Sequence, residues 1–96
     1  MVTLIAELKA VAGKEAILAG ECVKIAREVR EKENGCLMYV PHVSTKNPGE
    51  IIFVEKYESQ EAFDAHLQTA HFKAFAEKFK DLLDGSPVLQ FYQELA

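Results

Sequence analysis

The sequence predicts an α+β fold, a ferredoxin-like sandwich with the element order βαββααβ. Three observations support this prediction. Apolar residues recur with a period of two in four segments, which indicates strands. They recur at helical spacing in the segments between, which indicates amphipathic helices. Right-handed crossovers then place the first and third strands in the centre of the sheet and the second and fourth at its edges.

The first strand is expected over residues 2–10, with one apolar side. A long amphipathic helix is expected to follow over residues 14–33, after the weak cap Gly13. Gly20 lies inside this helix and costs about 1 kcal/mol relative to Ala, which indicates a close approach of another backbone segment. Gly35 is expected to end the helix in the left-handed conformation.

The second and third strands are expected to form a hairpin, over residues 36–44 and 51–58. Pro41 cannot donate a hydrogen bond, so the second strand belongs at an edge. The connection Asn47-Pro48-Gly49 places proline and glycine where a type II turn requires them.

A pair of helices precedes the last strand. Ser59 is expected to cap a short helix over residues 60–68, because its hydroxyl accepts a hydrogen bond from a free backbone N–H. The dipeptide Thr69-Ala70 is expected to break the path before a second helix over residues 71–83. The last strand is expected over residues 88–95.

Composition narrows the class of protein. The 96 residues are enough for one domain, residues 1–96, and the apolar fraction of 49% is ordinary for a globular protein. A net charge of -4 without a basic patch disfavours nucleic-acid binding. No charged-then-apolar leader and no bilayer-length apolar run are present, so we expect a cytoplasmic protein without membrane contact. Cys22 and Cys36 show no CxxC spacing, and we expect both to be reduced core residues.

Both faces of the predicted sheet are apolar, although helices cover only one of them. The uncovered face would be an exposed apolar patch. A second copy of the chain, packed sheet against sheet, covers it most simply, so we expect a homodimer with a two-fold axis.

Glu55 is a carboxylate on the central third strand, at a position where the apolar pattern of that strand would be expected to continue. It is either paired in a salt bridge, or it orients a histidine and fixes the ring's tautomer. The ordinary interpretation of His66, at the edge of a helical apolar stripe, is structural. His71 follows five residues later, which on a continuous helix sets the two rings about 140° apart and makes a poor metal pair, unless a break at Thr69-Ala70 brings them together. No cluster of ligand-type residues has metal spacing, so we expect no metal, and His42 is expected on the surface.

Aromatic residues surround these groups in the predicted fold. Tyr57 shares the strand phase of Glu55, whereas Tyr39 does not. In the ordinary interpretation these tyrosines, with Phe53 and Phe72, are core residues; in the functional one they contact a substrate. No phosphate-binding glycine loop or nucleophile motif is present. The residues alone thus predict a small apolar cleft, with a few polar groups, for a small and mostly apolar ligand: Glu55, Tyr57, His66 and His71.

The sequence resembles the antibiotic biosynthesis monooxygenase domain family, in its small bacterial quinol monooxygenase branch, in three stretches: GCLMYVPHV, EKYES and AHLQTAHFKAF. The resemblance covers nearly the whole chain. It implies a dimeric α+β barrel that oxidises an electron-rich phenol or quinol with O2, without metal, flavin or haem. The family's strand carboxylate falls on Glu55, its helix histidine on His66 and its second histidine on His71. Tyr57 stands where many members have Trp, and Ala70 where many have Pro.

The hypothesis that follows makes His66 and Glu55 the catalytic residues. His66, oriented by Glu55 directly or through water, takes a proton from a quinol packed on Phe72 and Tyr57, and the resulting anion reduces O2. Tyr39, Phe53 and His71 complete the substrate contacts. Two alternatives stay open: an acid–base isomerase of a small phosphorylated sugar-like signal, and a module that binds a small aromatic ligand without turnover.

Overall fold

Four antiparallel strands form one sheet, and helices cover one of its faces. The computed structural model describes all residues from Met1 to Ala96. In chain order the elements are β1 (Val2–Lys9), α1 (Glu15–Lys32), β2 (Cys36–Val43), β3 (Glu50–Tyr57), α2 (Gln60–Gln68), α3 (Ala70–Glu77), α4 (Phe79–Leu82) and β4 (Val88–Tyr92). The strand order β2-β3-β1-β4 confirms the predicted ferredoxin-like sandwich with β1 and β3 in the centre. β4 ends at Tyr92 rather than at Leu95.

The sheet register sets which residues face the helices. Alternate side chains of β3, from Ile51 to Tyr57, point to this face and are buried. Leu4 of β1 lies opposite Glu55. A β-bulge at the start of β2 shifts its register by one residue and brings Tyr39 opposite Glu55 on the other side. Tyr39 therefore shares the face of Glu55, against the prediction from unbroken alternation.

Helix α1 supplies the other half of the core. Five of its residues are buried: Leu18, Cys22, Ile25, Ala26 and Val29. Cys22 packs there as a small apolar residue, whereas Cys36 is half-buried beside the core, and both cysteines are free thiols. No helix of the chain is long and apolar enough to cross a bilayer.

The predictions for Gly20 and Gly35 are wrong. A Cβ atom at Gly20 would meet no heavy atom within 4 Å, so no backbone approaches α1 there. The close approach is at Gly35, where a Cβ would lie 2.8 Å from the Cβ of Ala62 in α2. Gly35 is also not left-handed, because the positive φ angles belong to Gly13 (88°) and Gly85 (90°). A glycine is therefore needed at position 35 for the close contact with α2, and not for a left-handed backbone conformation.

Strand β2, the outer strand of the β2–β3 hairpin, lies at the sheet edge, as Pro41 predicts. Its turn is not type II, because Gly49 lacks the positive φ that this turn needs. The side chain of Asn47 holds the chain instead: its Oδ1 accepts a hydrogen bond from the Gly49 N–H at 2.9 Å, and its backbone oxygen accepts one from Glu50 at 3.1 Å.

Thr69 separates α2 from α3, as predicted. Its backbone is extended (φ -68°, ψ 150°). Its hydroxyl donates to the backbone oxygen of His66 at 2.8 Å and accepts from the N–H of Phe72 at 3.1 Å. One side chain therefore closes α2 and caps α3, and no proline is needed.

The second helix, predicted as continuous over residues 71–83, is divided in two. Lys78 ends α3, and its N–H donates to the backbone oxygen of Phe75 at 3.1 Å, three residues back. This tighter bonding breaks the α-helical pattern before α4 begins. The segment after α4 then returns to the sheet, where Leu83 bridges to Ala10.

Candidate active site

A cavity of about 270 Å³ lies between the sheet and the helix layer. Its volume is near the lower end of ligand-binding pockets, about 300–1,000 Å³. Polar side chains reach it at Glu55 and His66, together with the hydroxyl of Tyr39. The complete lining is Leu4, Ala6, Leu8, Tyr39, Phe53, Glu55, Phe63, His66, Leu67, Phe72, Phe75, Phe79, Pro87 and Leu89.

Glu55 lies in the cavity wall and is only 5% exposed. Burial raises the pKa of its carboxyl to about 7, although the hydrogen bond from Tyr57 acts in the opposite direction. The hydroxyl of Tyr57 donates to its Oε1 at 2.6 Å. A carboxyl group with a pKa near neutrality can give or take a proton at physiological pH.

Tyr39 places a hydroxyl at the same wall. Its ring contacts Phe53 and His66, with ring centroids 4.9 and 5.2 Å apart. Burial, followed by the nearby charge of Glu55, raises the pKa of Tyr39, so its phenol stays protonated. The hydroxyl makes no hydrogen bond within the chain. Every fully buried side-chain oxygen or nitrogen does have a hydrogen-bond partner, so this hydroxyl is not fully buried. The Tyr39 hydroxyl is therefore accessible from the cavity and free to donate to a ligand.

His66 and His71 meet on one carboxylate, that of Glu33. The Nδ1 atom of His66 lies 3.0 Å from both oxygens of Glu33, and the Nε2 atom of His71 lies 2.5 Å from Oε2. The side chains of the three residues are at most 10% exposed. The helix break at Thr69 turns the two imidazoles toward the same point, which five residues on a continuous helix would not do.

Glu33 fixes the tautomer of His66. A carboxylate only accepts hydrogen bonds, so the hydrogen of the neutral ring belongs on Nδ1 and the lone pair on Nε2. Nε2 makes no hydrogen bond in the chain. Because every fully buried side-chain nitrogen or oxygen has a hydrogen-bond partner, Nε2 is not fully buried, and it is accessible from the cavity that His66 lines. Burial lowers the pKa of His66, while Glu33 raises it and His71 lowers it. The ring is thus a neutral base with one free nitrogen at an apolar cavity.

The predicted direct contact between Glu55 and His66 is absent. No hydrogen bond joins them; the carboxyl of Glu55 is bonded to Tyr57, and the carboxylate that holds His66 is Glu33. Glu33 was not singled out from the sequence because it lies 33 residues before His66, at the end of α1, where a charged residue is normally solvated. The one feature of the sequence that pointed toward this cluster is the pair of histidines on either side of the helix break at Thr69.

Glu33, His66 and His71 are also the residues that a metal would use in this chain. Their donor atoms lie within 4.8 Å of one another, although no metal was expected from their spacing. One nitrogen of each imidazole already contacts the carboxylate directly, so these three donor and acceptor groups satisfy one another without an ion. We therefore describe them as a hydrogen-bonded cluster.

Five of the seven predicted site residues line the cavity: Glu55, His66, Phe72, Tyr39 and Phe53. Tyr57 does not, because it is fully buried behind Glu55 and cannot pack against a ligand there. His71 opens instead on a separate cleft beside α1. Several apolar residues that line the cavity, such as Phe63 and Leu89, were not predicted as site residues, because their spacing in the sequence is that of ordinary core residues.

Comparison with known proteins bears on the family and the fold of the chain. A family model described as "Antibiotic biosynthesis monooxygenase" matches residues 1–78. A relative from Escherichia coli strain K12, named "Probable quinol monooxygenase YgiN", is 36% identical over 96 residues, covering 88% of this chain and 90% of that protein. The crystal structure of PA3566 from Pseudomonas aeruginosa superposes with a TM-score of 0.92 at 27% identity, covering 99% of this chain and 94% of that one. A structure described as an antibiotic biosynthesis monooxygenase has a TM-score of 0.91 at 22% identity with both chains fully covered, a likeness of fold.

Proposed function

The chain belongs to the antibiotic biosynthesis monooxygenase family, and on this premise we propose that it oxidises a small quinol or phenol with O2, without metal, flavin or haem. One observation carries the proposal. His66 presents a free ring nitrogen to an apolar cavity, while Glu33 holds the opposite nitrogen.

The cavity suits a ligand of about one aromatic ring. Its volume of about 270 Å³ is small, and its walls are mostly aromatic and aliphatic. The polar groups that line the cavity are the imidazole of His66, the carboxyl of Glu55 and the hydroxyl of Tyr39. A quinol carries two hydroxyl groups on a flat apolar ring, so it can pack against Phe72 and Phe53 while its hydroxyls meet the polar groups.

Proton transfer to His66 begins the reaction. A substrate hydroxyl donates to Nε2, and the imidazolium that forms is stabilised by the carboxylate of Glu33 at 3.0 Å. Glu55, whose carboxyl has a pKa of about 7, hydrogen-bonds the second hydroxyl and can take its proton in turn. His66 is the catalytic base in this scheme and Glu33 is the residue that positions it.

Electron transfer to O2 follows, because a phenolate gives up an electron more readily than a phenol. The apolar walls exclude water from the radical pair. Insertion of one oxygen atom converts quinol and O2 to a hydroxyquinone and water. Simple two-electron oxidation would give the quinone and hydrogen peroxide instead.

Oxygen uptake by the wild-type protein tests the reaction class. We expect consumption of O2 with small quinols, unchanged by a strong metal chelator, and a hydrogen peroxide assay then separates oxidation from insertion. A flat oxygen trace with a range of one-ring and two-ring quinols contradicts the proposal.

The isomerase alternative fits the cavity less well. A phosphorylated sugar would need cationic partners for its phosphate, and no Lys or Arg lines the cavity. A binding module would retain a small aromatic ligand and consume no O2, so the same oxygen trace, combined with measured binding, distinguishes it.

We also propose that the protein is a homodimer built on the uncovered sheet face. Ile5, Val54 and Val40 are neighbours in the register on that face and are only half-buried in the single chain. β4 is exposed along its length. Packing two such faces together with two-fold symmetry would remove this apolar surface from water.

The two free thiols support a reducing compartment, and we propose the cytoplasm. Cys22 and Cys36 are not paired with each other. Burial raises the pKa of the Cys22 thiol to about 12 and that of Cys36 to about 11, so neither is a reactive thiolate at neutral pH.

A further inference from the structure

The hydroxyl of Tyr39 and the Nε2 atom of His66 are neighbouring polar groups of the cavity that do not bond to each other. The two rings are in contact, with centroids 5.2 Å apart and planes tilted by 57°. Both side chains line the cavity and are buried, at 3% and 2% exposed. Neither polar atom has a hydrogen-bond partner in the chain, and neither is fully buried. A hydrogen-bond donor and an acceptor therefore lie side by side, and both are accessible to a ligand.

We propose that Tyr39 and His66 bind the same oxygen atom of the substrate, an aromatic hydroxyl that donates its hydrogen to Nε2 of His66 and accepts a hydrogen bond from Tyr39. The inference rests on the proposed function, because it concerns the hydroxyl whose proton His66 takes. It makes Tyr39 the residue that selects a hydroxyl over other groups on the ring, a narrower role than the substrate contact expected from the sequence.

The two polar atoms have opposite hydrogen-bonding roles. Because Glu33 holds Nδ1 of His66 at 3.0 Å, Nε2 is the acceptor of the neutral ring. Burial raises the pKa of Tyr39, and nearby acidic groups raise it further, so its phenol stays protonated and remains a donor. These acidic groups are Glu55, Glu33, Cys22 and Cys36. The guanidinium of Arg30 donates to the backbone oxygen of Tyr39, at 3.1 Å, and not to its phenol.

The position of Tyr39 is fixed by groups other than its hydroxyl. The β-bulge at the start of β2 sets the side of the sheet on which the ring lies. The hydrogen bond from Arg30 holds its backbone, and its ring packs against Phe53 with centroids 4.9 Å apart. The hydroxyl thus makes no bond that the fold uses, and it is already in place before a ligand binds, which lowers the entropic cost of binding.

The neighbouring Tyr57 has the opposite arrangement. It is fully buried, and its hydroxyl donates to Glu55 at 2.6 Å. Tyr39 also lies opposite Glu55 in the register of β2 and β3, but its hydroxyl does not bond to that carboxyl. Glu55 therefore receives its hydrogen bond from Tyr57 within the chain, and the hydroxyl of Tyr39 is left for a ligand.

A hydroxyl is the group that satisfies both Tyr39 and Nε2 of His66, because its oxygen donates one hydrogen bond and accepts others. An ether oxygen accepts from Tyr39 but has no hydrogen for Nε2. An aromatic amine has hydrogens for Nε2, but its lone pair is delocalised into the ring and accepts poorly. Each missing bond leaves one polar group of the cavity unpaired, so the ether and the amine should bind less tightly.

Three one-ring ligands that differ in a single group test the inference: 4-chlorophenol, 4-chloroanisole and 4-chloroaniline. Their dissociation constants are measured by NMR titration of the protein labelled with nitrogen-15. The measurement is made at about pH 7.5, above the ordinary imidazole pKa of about 6.5. We expect the wild type to bind the phenol roughly 3–10-fold more tightly than the ether and than the amine, which is the usual net effect of one hydrogen bond.

Tyr39→Phe is the decisive variant, because it removes a hydroxyl that no group of the chain uses. Its preference for the phenol over the amine should fall to about one, since both ligands then keep only the bond to His66. Its preference for the phenol over the ether should persist. The control Tyr92→Phe, at an exposed position on β4, should keep both preferences.

The outcomes separate the inference from the proposed function. A preference for the phenol over the amine that Tyr39→Phe leaves unchanged overturns the inference while the proposed function stands. An equal loss of affinity for all three ligands does the same, because a purely structural role of Tyr39 would produce it. If the wild type does not bind the phenol, or binds the ether as tightly, the inference and the proposed function are both overturned.

A second measurement covers the case in which Tyr39→Phe does not fold. In the wild-type protein labelled with carbon-13 at tyrosine Cζ, the atom that carries the hydroxyl, the phenol and the ether should each shift the resonance of Tyr39. The amine should shift it much less, because it accepts poorly. Equal shifts with the three ligands would contradict the inference.

Discussion

Burial raises the pKa of Glu55 to about 7 from its ordinary value near 4.5. The folded protein therefore binds a proton more tightly than the unfolded chain does between these two pH values. In this window stability falls as pH rises, by an amount on the order of 3 kcal/mol over the full window. His66 changes stability with pH in the opposite direction. Burial lowers its pKa, so the folded protein binds a proton less tightly than the unfolded chain, and the contribution of His66 to stability rises with pH.

Glu55→Gln should remove the pH dependence that belongs to this carboxyl. We expect wild-type stability, relative to the variant, to be lower at pH 8 than at pH 5, since the ionised carboxylate is poorly solvated there. Urea unfolding of both proteins at the two pH values measures the difference, in which the contribution of His66 cancels. An identical difference at both pH values would show that Glu55 titrates normally.

Glu33→Gln tests the residue that holds the base. The glutamine amide can turn its NH2 group toward His66, so Nδ1 is no longer required to carry the hydrogen and Nε2 is no longer a fixed acceptor. We expect kcat to fall roughly 10–100-fold, as is typical for an orienting partner, with KM little changed. Steady-state kinetics measures the changes in kcat and KM, with Glu31→Gln, at an exposed position two residues earlier in the chain, as the matched control. A rise in KM with kcat preserved would assign Glu33 to binding instead.

At the scale of elements, the glycines of α1 and of the following connection give opposite predictions. Gly20 lies in an exposed stretch of helix with open space around it, so Gly20→Ala should stabilise the protein by about 0.5–1 kcal/mol. Gly35→Ala places a methyl group 2.8 Å from the Cβ of Ala62, and this overpacking should cost about 1–3 kcal/mol. Thermal unfolding of the two variants should move in opposite directions, and a shift of the same sign in both would refute the packing role of Gly35.

The Thr69 junction is the element that brings the two histidines together. Thr69→Ala removes a side chain that caps α3 and bonds the end of α2, so it should cost about 1 kcal/mol, whereas Thr69→Ser should keep most of the stability. Denaturant unfolding of the pair measures this. Equal loss in both variants would show that the methyl group, not the hydroxyl, is what matters.

At the scale of the whole molecule, the uncovered sheet face predicts a dimer. Sedimentation should give about twice the chain mass of 10.7 kDa. Val54→Asp puts a charge in the middle of this face and should yield monomers, while Lys80→Asp on the helix layer should not. A wild-type monomer at micromolar concentration, or a dimer that survives Val54→Asp, would exclude this face as the interface.

The architecture could be predicted from the sequence because the local periodicity of apolar residues indicates strands and helices. The period of two in β1 and β3 predicted the apolar face against the helices, and Pro41 predicted the edge. The site was less accessible to this reasoning. A one-residue bulge moved Tyr39 onto the face of Glu55, and Glu33 reaches His66 only through contact between distant segments. Such long-range details depend on packing, which local patterns do not encode.

In the mechanism that we propose, the free nitrogen of His66 is the base that begins quinol oxidation in the apolar cavity. Oxygen uptake by His66→Ala, compared with wild type and with the exposed control His42→Ala, tests it most directly. We predict that His66→Ala loses roughly 10²–10⁴-fold in rate with its fold and subunit mass unchanged, while His42→Ala keeps the wild-type rate. Quinol oxidation by His66→Ala at the wild-type rate would contradict the account.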